Sequence, residues 1–225
     1  MKKTARNSAR IQILIVDDHP MMRQGLALLI DHEPDLKTCA EADTAGQALT
    51  LIAASRPDLV LADISLPDKS GLELIKDMLS LHPGLPILVV SMHDESLYAE
   101  RVLRAGGRGY IMKQEGGKKL MQAIRQVISG QTYVSEKISA RIIEAFAGGR
   151  QNVENSPIQR LSDREFEVFR LIGAGKATRA IAGHLHLSIK TVEVHRANIK
   201  RKMNLATGSD LVHHAIRWAE AQKPA

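Results

Sequence analysis

Four short apolar runs in the first half of this chain each end in a side chain able to handle phosphate or a cation. Residues 11–16 lead into Asp17-Asp18, residues 59–62 into Asp63, residues 86–90 into Ser91, and residues 109–112 into Lys113. Runs this short, bounded by turn residues, read as strands buried on both faces. In an open parallel sheet the strand ends share one edge, and such sheets place their ligands there. Three carboxylates on that edge repel one another, and a cation relieves the repulsion. Oxygen-only ligation suits Mg2+, which keeps several waters and takes one or two carboxylates plus phosphate. With Mg2+ present, Asp63 is the candidate nucleophile, because a carboxylate that attacks phosphorus forms an acyl phosphate. Ser91 is placed to donate a hydrogen bond to one phosphoryl oxygen, and Lys113 to neutralise another as a compact point charge. Taken singly, each of these residues also fits a plain role as cap, turn or solvated side chain. Their joint order over four strand ends favours chemistry.

Positioning these groups requires strands that alternate with helices. The pattern predicts strands at 11–16, 37–42, 59–62, 86–90 and 109–112, and helices at 20–32, 44–55, 71–81, 96–105 and 120–128. Pro20 suits a first helical turn, and Thr44 is a good cap. Gly116-Gly117 at the start of the fifth helix weakens its first turn. Alternation of this kind implies right-handed crossovers and an α/β fold, with a parallel sheet in the order 2-1-3-4-5. This domain is expected over residues 11–130. A linker over 131–157 should hold a helix at 135–146, and its stretch 148–157 is polar and aperiodic. Helices at 162–172, 178–185, 188–203 and 209–221 then make an all-α domain over 158–222.

Composition bounds the partners. The chain has 225 residues and a net charge of +6, with 18 basic and 18 acidic residues up to Ala147 but 13 basic against 7 acidic beyond it. The whole excess lies in the helical part, which points to a polyanion partner there. The single cysteine, Cys39, allows no internal disulfide and fits a reducing compartment. The run at 11–16 is too short for a signal-peptide core, and no stretch reaches membrane-span length, so a soluble cytoplasmic protein with no membrane partner is expected. None of the histidine pairs has the spacing of a helical zinc site.

In the helical part, Ser162 with Glu165 forms a capping box signature. A helix over 178–185, a tight turn at His186-Leu187 and a basic helix capped by Ser188 make a helix-turn-helix pattern. Val192, Ile199 and Met203 should face the core. Lys190, Glu193, Val194 and Ala197 should face a major groove. There Glu193 could accept from a cytosine amino group and Val194 touch a thymine methyl. Arg196, Lys200, Arg201 and Lys202 are better suited to phosphates.

Residues 11–129 resemble the receiver domains of two-component response regulators. The resemblance is carried by Asp17-Asp18, by Asp63-Ile64-Ser65-Leu66-Pro67 with Gly71, by Ser91, and by Gly109-Tyr110-Ile111-Met112-Lys113. It implies a flavodoxin-like (βα)5 fold with Asp63 as phosphoacceptor. It also implies Mg2+ held by Asp18, by Asp17 through water, by Asp63 and by the backbone carbonyl of Ser65. Ser91 and Tyr110 would form a switch pair, Ser91 moving toward the phosphoryl group and Tyr110 turning inward behind it. Residues 161–205 resemble the LuxR-type helix-turn-helix, through Leu161-Ser162-Asp163-Arg164-Glu165, Ser188-Ile189-Lys190-Thr191-Val192-Glu193-Val194-His195 and Asn198-Ile199-Lys200-Arg201-Lys202-Met203. That likeness brings Thr191 into the DNA-contacting set. The chain departs from it at Thr178 and Ala180, where the family has Asn and Glu. By the same likeness Leu211, Val212 and Ile216 of the last helix would serve dimerisation on a palindromic site.

The whole chain thus resembles a NarL/FixJ-type response regulator: a DNA-binding transcriptional regulator, and not an enzyme beyond assisting its own phosphoryl transfer and dephosphorylation. A histidine kinase would donate the phosphoryl group to Asp63 with Mg2+, switching homodimerisation and binding to double-stranded DNA. The alternative is a phosphorylation-independent DNA-binding regulator that uses its receiver as a dimerisation module. An aspartyl phosphatase or phosphotransferase would need a lid, and no insertion is long enough to build one.

Overall fold

The apolar runs form strands because both of their faces are covered. Ile13, Leu14, Ile15, Leu59, Val60, Leu88 and Val89 are all fully buried, as a parallel sheet with helices on two sides requires. The structure, a computed structural model, describes residues 10–147 and 157–221. The polar start (1–9), residues 148–156 of the expected linker and residues 222–225 lie outside the described residues. The chain divides into two units, the first ending at Ser135 and the second beginning at Glu136.

The first unit runs β1 (Ile11–Val16), α1 (Pro20–Asp31), β2 (Leu36–Ala42), α2 (Ala45–Ser55), β3 (Leu59–Ala62), α3 (Gly71–Leu81), β4 (Ile87–Ser91), α4 (Glu95–Arg104), β5 (Gly109–Met112) and α5 (Gly116–Ile128). The sheet is parallel throughout, in the order β2-β1-β3-β4-β5. On one face Ile13, Ile15, Leu61, Leu88, Val90 and Ile111 pack with Leu26 and Ile30 of α1 and with Leu120, Ile124 and Val127 of α5. The alternate residues point to the other face, where Leu14, Val16, Val60, Val89 and Tyr110 are equally buried. Register sets the site. Val16 pairs with Ala62 and Ser91 with Met112, so the residues just beyond these pairs emerge together at the carboxyl edge.

Some expected boundaries move. Ser91 is itself the last residue of β4, and α4 starts at Glu95 because Asp94 caps it, accepting from Ser96 N at 2.7 Å. The fifth helix starts at Gly116 and not near Leu120. A 3-10 turn over Lys113–Glu115 precedes it, and Gly116 takes φ +79° to join the two. Burial of Leu120, Ala123, Ile124 and Val127 against the sheet outweighs the poor propensity of two glycines, each about 1 kcal/mol. Finally, residues 131–135 remain with the first unit, Tyr133 bridging to Gly109 of β5.

The second unit holds α6 (Glu136–Ala147), a 3-10 turn (Pro157–Arg160), α7 (Asp163–Gly173), α8 (Thr178–His184), α9 (Ile189–Met203) and α10 (Gly208–Ala221). The capping box at Ser162 and Glu165 forms as expected. The ring of Trp218 on α10 meets Phe166 edge-on at 5.7 Å and Phe169 at 5.3 Å, joining α10 to α7. Leu211 is fully buried within the unit. This corrects its expected place on a dimer surface: α10 turns Leu211 and Ala215 inward, leaving Val212 and Ile216 half-buried.

Glu165 joins α7 to α9. Its carboxylate accepts from Ser162 N at 2.8 Å and from Lys202 of α9 at 2.6 Å. Burial alone would raise its pKa, but the bonds from Lys202 and Ser162 outweigh it and hold the carboxyl below its ordinary value of 4.5. A carboxyl depressed in the folded state contributes stability above its unfolded pKa and loses it as pH falls through the folded value. Acidifying the full chain from about pH 6 to about pH 3 should therefore weaken this unit by roughly 1–3 kcal/mol through Glu165. Glu165→Gln should flatten that component of the profile. Urea unfolding followed by the fluorescence of Trp218, the single tryptophan, reads this unit directly.

Candidate functional site

Asp63 follows β3, and its N–H donates to Val16 O at 2.8 Å, which locks the ends of β1 and β3 together. Both of its oxygens are engaged. Oδ1 accepts from Ile64 N at 2.6 Å and faces Ser65 N at 3.4 Å, while Oδ2 accepts from Lys113 Nζ at 2.7 Å. Lys113 also lies 2.6 Å from Asp17 Oδ2, and all three side chains are almost wholly buried. Burial works against the lysine charge, but its close pairing with Asp17 and Asp63 prevails and raises its pKa above the usual lysine value. Asp17 is fixed from two sides: Oδ1 accepts from His19 N at 2.9 Å, and its backbone carbonyl accepts from Arg23 at 2.6 Å. Asp18 sits beside the His19 ring, Oδ1 to Nδ1 being 2.6 Å.

These groups fit a cation. Asp17, Asp18, His19 and Asp63 each offer one ligand atom, all within 4.8 Å of one another. Asp17 Oδ2 and Asp18 Oδ1 are shielded from solvent yet accept no hydrogen bond of proper alignment, despite lying at ion-pair distance from Lys113 and His19. Buried carboxylate oxygens with unused acceptor capacity are what a hard cation satisfies.

Across the site Ser91 and Tyr110 are both fully buried. The Tyr110 hydroxyl donates to His93 O at 2.8 Å, and His93 N donates to Ser91 Oγ at 3.3 Å. Burial raises the Tyr110 pKa, opposed by its bond to Ser91. Tyr110 therefore already lies inward as a neutral phenol beside Ser91. His93 also bonds Ser65 Oγ through Nε2 at 2.8 Å and stacks on Tyr98 at 5.0 Å. It thus ties the loop after β3 to the loop after β4.

The β3–α3 loop has two further anchors. Asp68 accepts from Ala45 N and Gly46 N, both at 2.9 Å, at the start of α2. Gly71 N donates to Ile64 O at 2.8 Å. A Cβ at Gly71 would collide with the Asp63 carbonyl oxygen and lie 2.6 Å from Ile64 Cα. Gly71→Ala should therefore cost about 1–3 kcal/mol by overpacking. Urea unfolding measures the loss.

In the second unit, α9 shows one stripe to solvent: Lys190, Glu193, Val194, Ala197 and Arg201 are exposed, Val194 to 52%. Val192, Ile199 and Met203 are buried on the opposite side. The turn between α8 and α9 is braced by Arg164, which donates to Leu185 O at 2.9 Å and pairs with Glu167 at 2.9 Å. Arg196 and Lys200 are half-buried at the flank of the stripe. Thr191 bonds Ser188 at the helix cap, Oγ1 to Oγ being 2.7 Å. Lys202 does not stand free for a phosphate as expected, because Glu165 holds its ammonium.

Residues 13–125 match the model of the response regulator receiver domain, and residues 159–215 match that of the bacterial regulatory proteins of the luxR family. The oxygen regulatory protein NreC of Staphylococcus haemolyticus is 33% identical over 92% of this chain and 97% of its own. The chain belongs to the two-component response regulators. It is a DNA-binding transcriptional regulator of the LuxR-type branch, a family of transcription factors and not of conventional enzymes. The transcriptional regulatory protein DegU of Brevibacillus brevis is 31% identical over 96% of this chain and 98% of its own. A LuxR-family response regulator from an Aurantimonas species is 33% identical, covering 62% of this chain and 99% of that one, with a TM-score of 0.57. RcsB from Salmonella enterica serovar Typhimurium, described as bound to a promoter in the presence of the phosphomimetic BeF3−, shares the fold at 23% identity. It covers 92% of this chain and 98% of that one, with a TM-score of 0.66. Among the described residues of the regulator, no helix is long and apolar enough to cross a membrane.

The site so assembled contains groups that sequence reasoning left out. His93 carries one sequence signal, its place two residues after Ser91, which puts it on the same edge. Asp68 and Arg164 carried no local signal, since each acts on a backbone group distant in the chain.

Proposed function

We propose that Asp63 accepts a phosphoryl group from a histidine kinase, and that this event switches dimerisation and DNA binding. The observation that carries the reading is the buried Asp17–Lys113–Asp63 array, with Lys113 2.6 and 2.7 Å from the two carboxylates. An Asp63 oxygen attacks phosphorus of the donor phosphohistidine. A P–O bond forms as the P–N bond breaks, and the imidazole nitrogen leaves with the electron pair and takes up a proton. Lys113 stabilises charge on the transferring group, and Ser91 donates to another of its oxygens. Mg2+, held by Asp17, Asp18, Asp63 and the backbone carbonyl of Ser65, would neutralise the acidic cluster and the phosphate together. Ser91 and Tyr110 report the change through His93, the two-state element that the new charge biases.

On the DNA side, Lys190, Thr191, Glu193, Val194 and Ala197 read the major groove, while Arg196, Lys200 and Arg201 meet phosphates. The exposed stripe on α9 and the basic excess of the second unit support this. A homodimer on a palindromic site follows, with Val212 and Ile216 as the apolar residues of α10 that remain accessible to a partner. The regulator works in the cytoplasm, beside its kinase and its DNA.

The test is an intact-mass assay with a small acyl-phosphate donor, with and without Mg2+, on the native chain and Asp63→Asn. The expected result is a gain of one phosphoryl group that needs both Mg2+ and Asp63. An amide is not a nucleophile here, so uptake by the variant should fall by roughly 10³-fold or more. No uptake from this donor or from the cognate kinase would sink the reading and leave a phosphorylation-independent regulator.

A further inference from the structure

The segment that leaves the first unit is moored in three places. Gln126 of α5 donates its side-chain amide to Thr132 O at 2.7 Å. Tyr133 covers the outer edge of β5: its N–H donates to Arg108 O at 3.0 Å, and Tyr110 N–H donates to Tyr133 O at 2.9 Å. Ser135 N–H donates to Glu95 Oε1 at 2.7 Å. Ser135 is the last residue of the first unit, and Glu136 opens α6.

The third mooring differs in kind from the first. Gln126 sits on α5, away from the phosphoryl site. Glu95 is the first residue of α4, directly after the loop that holds Ser91, His93 and Asp94. That loop is internally bonded: His93 N donates to Ser91 Oγ, Tyr110 donates to His93 O, and Asp94 caps the helix through Ser96 N. A movement of Ser91 or of the Tyr110 ring therefore carries the first turn of α4 with it. Tyr110 is linked to the exit segment a second time, through its own backbone bond to Tyr133. An ionised acceptor on a backbone N–H is among the stronger hydrogen bonds, and this one is partly shielded from solvent at both ends.

We propose that Glu95 is an output residue of the receiver: its bond to the Ser135 amide transmits displacement of the β4–α4 loop to residues 131–135, and so to α6. The proposal rests on the phosphoryl-switch reading above. A contact that merely capped the chain would stabilise the segment without coupling it to the site, and that difference can be measured.

The experiment uses the full chain. Amide exchange is followed residue by residue by NMR, uptake of beryllofluoride with Mg2+ by fluorine NMR, and affinity for a random-sequence duplex by anisotropy. Glu95→Ala removes the acceptor, whereas Glu95→Gln keeps one. Exchange at Ser135 should rise about 10-fold or more in Glu95→Ala and stay within about twofold in Glu95→Gln. Beryllofluoride should alter exchange at residues 133–135 in the native chain. In Glu95→Ala it should bind equally well, leave that exchange unaltered, and no longer produce the gain in DNA affinity it gives the native chain. Probe uptake with no change of exchange at 133–135 in the native chain overturns the proposal and leaves the phosphoryl reading standing. A full gain in DNA affinity in Glu95→Ala overturns it as well and reduces Glu95 to a structural cap. No probe uptake by the native chain overturns both.

Discussion

Lys113→Met should slow phosphoryl uptake by Asp63 by roughly 10²-fold or more while tightening Mg2+ binding by about 10-fold. The two effects have opposite signs for one reason. In the resting protein the Lys113 ammonium, shielded from solvent, sits between Asp17 and Asp63. It is the internal counter-ion of the acidic cluster and competes with any divalent cation for the same oxygens. Removing it leaves the carboxylates more hungry for a cation, so Mg2+ binds better. The same removal deprives the transferring group of a fixed positive charge in a site with little water, where such a charge counts most. Without Mg2+ the variant should be less stable by about 3 kcal/mol, because two buried carboxylates lose their shared partner. Saturating Mg2+ should restore most of that loss. Calorimetric titration, intact-mass kinetics and urea unfolding measure the three quantities. Unchanged Mg2+ affinity would show that the lysine and the ion do not share the acidic cluster.

Two lysines only two positions apart on α9, and so on different sides of it, should behave as different kinds of residue. Lys200→Ala should weaken binding to a random duplex and lower the slope of log K against log salt by about 0.9, the value for one phosphate contact. Lys202→Ala should leave that slope unchanged and instead destabilise the second unit by roughly 2 kcal/mol. The Lys202 ammonium is 2.6 Å from the Glu165 carboxylate, and Glu165 is 4% exposed. Without Lys202 that carboxylate stays buried with its depressed pKa undone. Anisotropy over a salt series, with urea unfolding read by Trp218, separates the two outcomes. A drop in salt slope for Lys202→Ala would mean that DNA draws the lysine away from Glu165.

The regulator shows clearly which features a linear sequence carries. The five strands and the order of the site residues were legible because a buried parallel strand has a signature of its own: a short apolar run with a polar residue at its end. Asp17, Asp63 and Lys113 converge as that pattern requires, and the sheet order is the expected one. The inward face of α9 was legible too, since Val192, Ile199 and Met203 follow helical spacing and are all buried. Ser162 and Glu165 announced their capping box because both partners lie within one turn.

What failed to show in the sequence depends on a distant partner. Leu211 lies on the apolar side of its helix, but periodicity names a face and not what covers it; the folded unit covers this one, so Leu211 is core and not interface. Lys202 looked like its basic neighbours until α7 brought Glu165 against it. Gly116 and Gly117 have poor helix propensity, yet they open α5, because packing on the sheet outweighed it. His93 links Ser65, Ser91, Tyr98 and Tyr110, residues spread over 46 positions, and no local pattern encodes such a hub. Sequence by itself determined the elements, the family and the residues able to do chemistry, because burial and capping leave periodic or short-range marks. Only the tertiary structure decided which of those side chains meet, because hydrogen bonds and ion pairs between distant segments exist only once the sheet and the helices have closed around them.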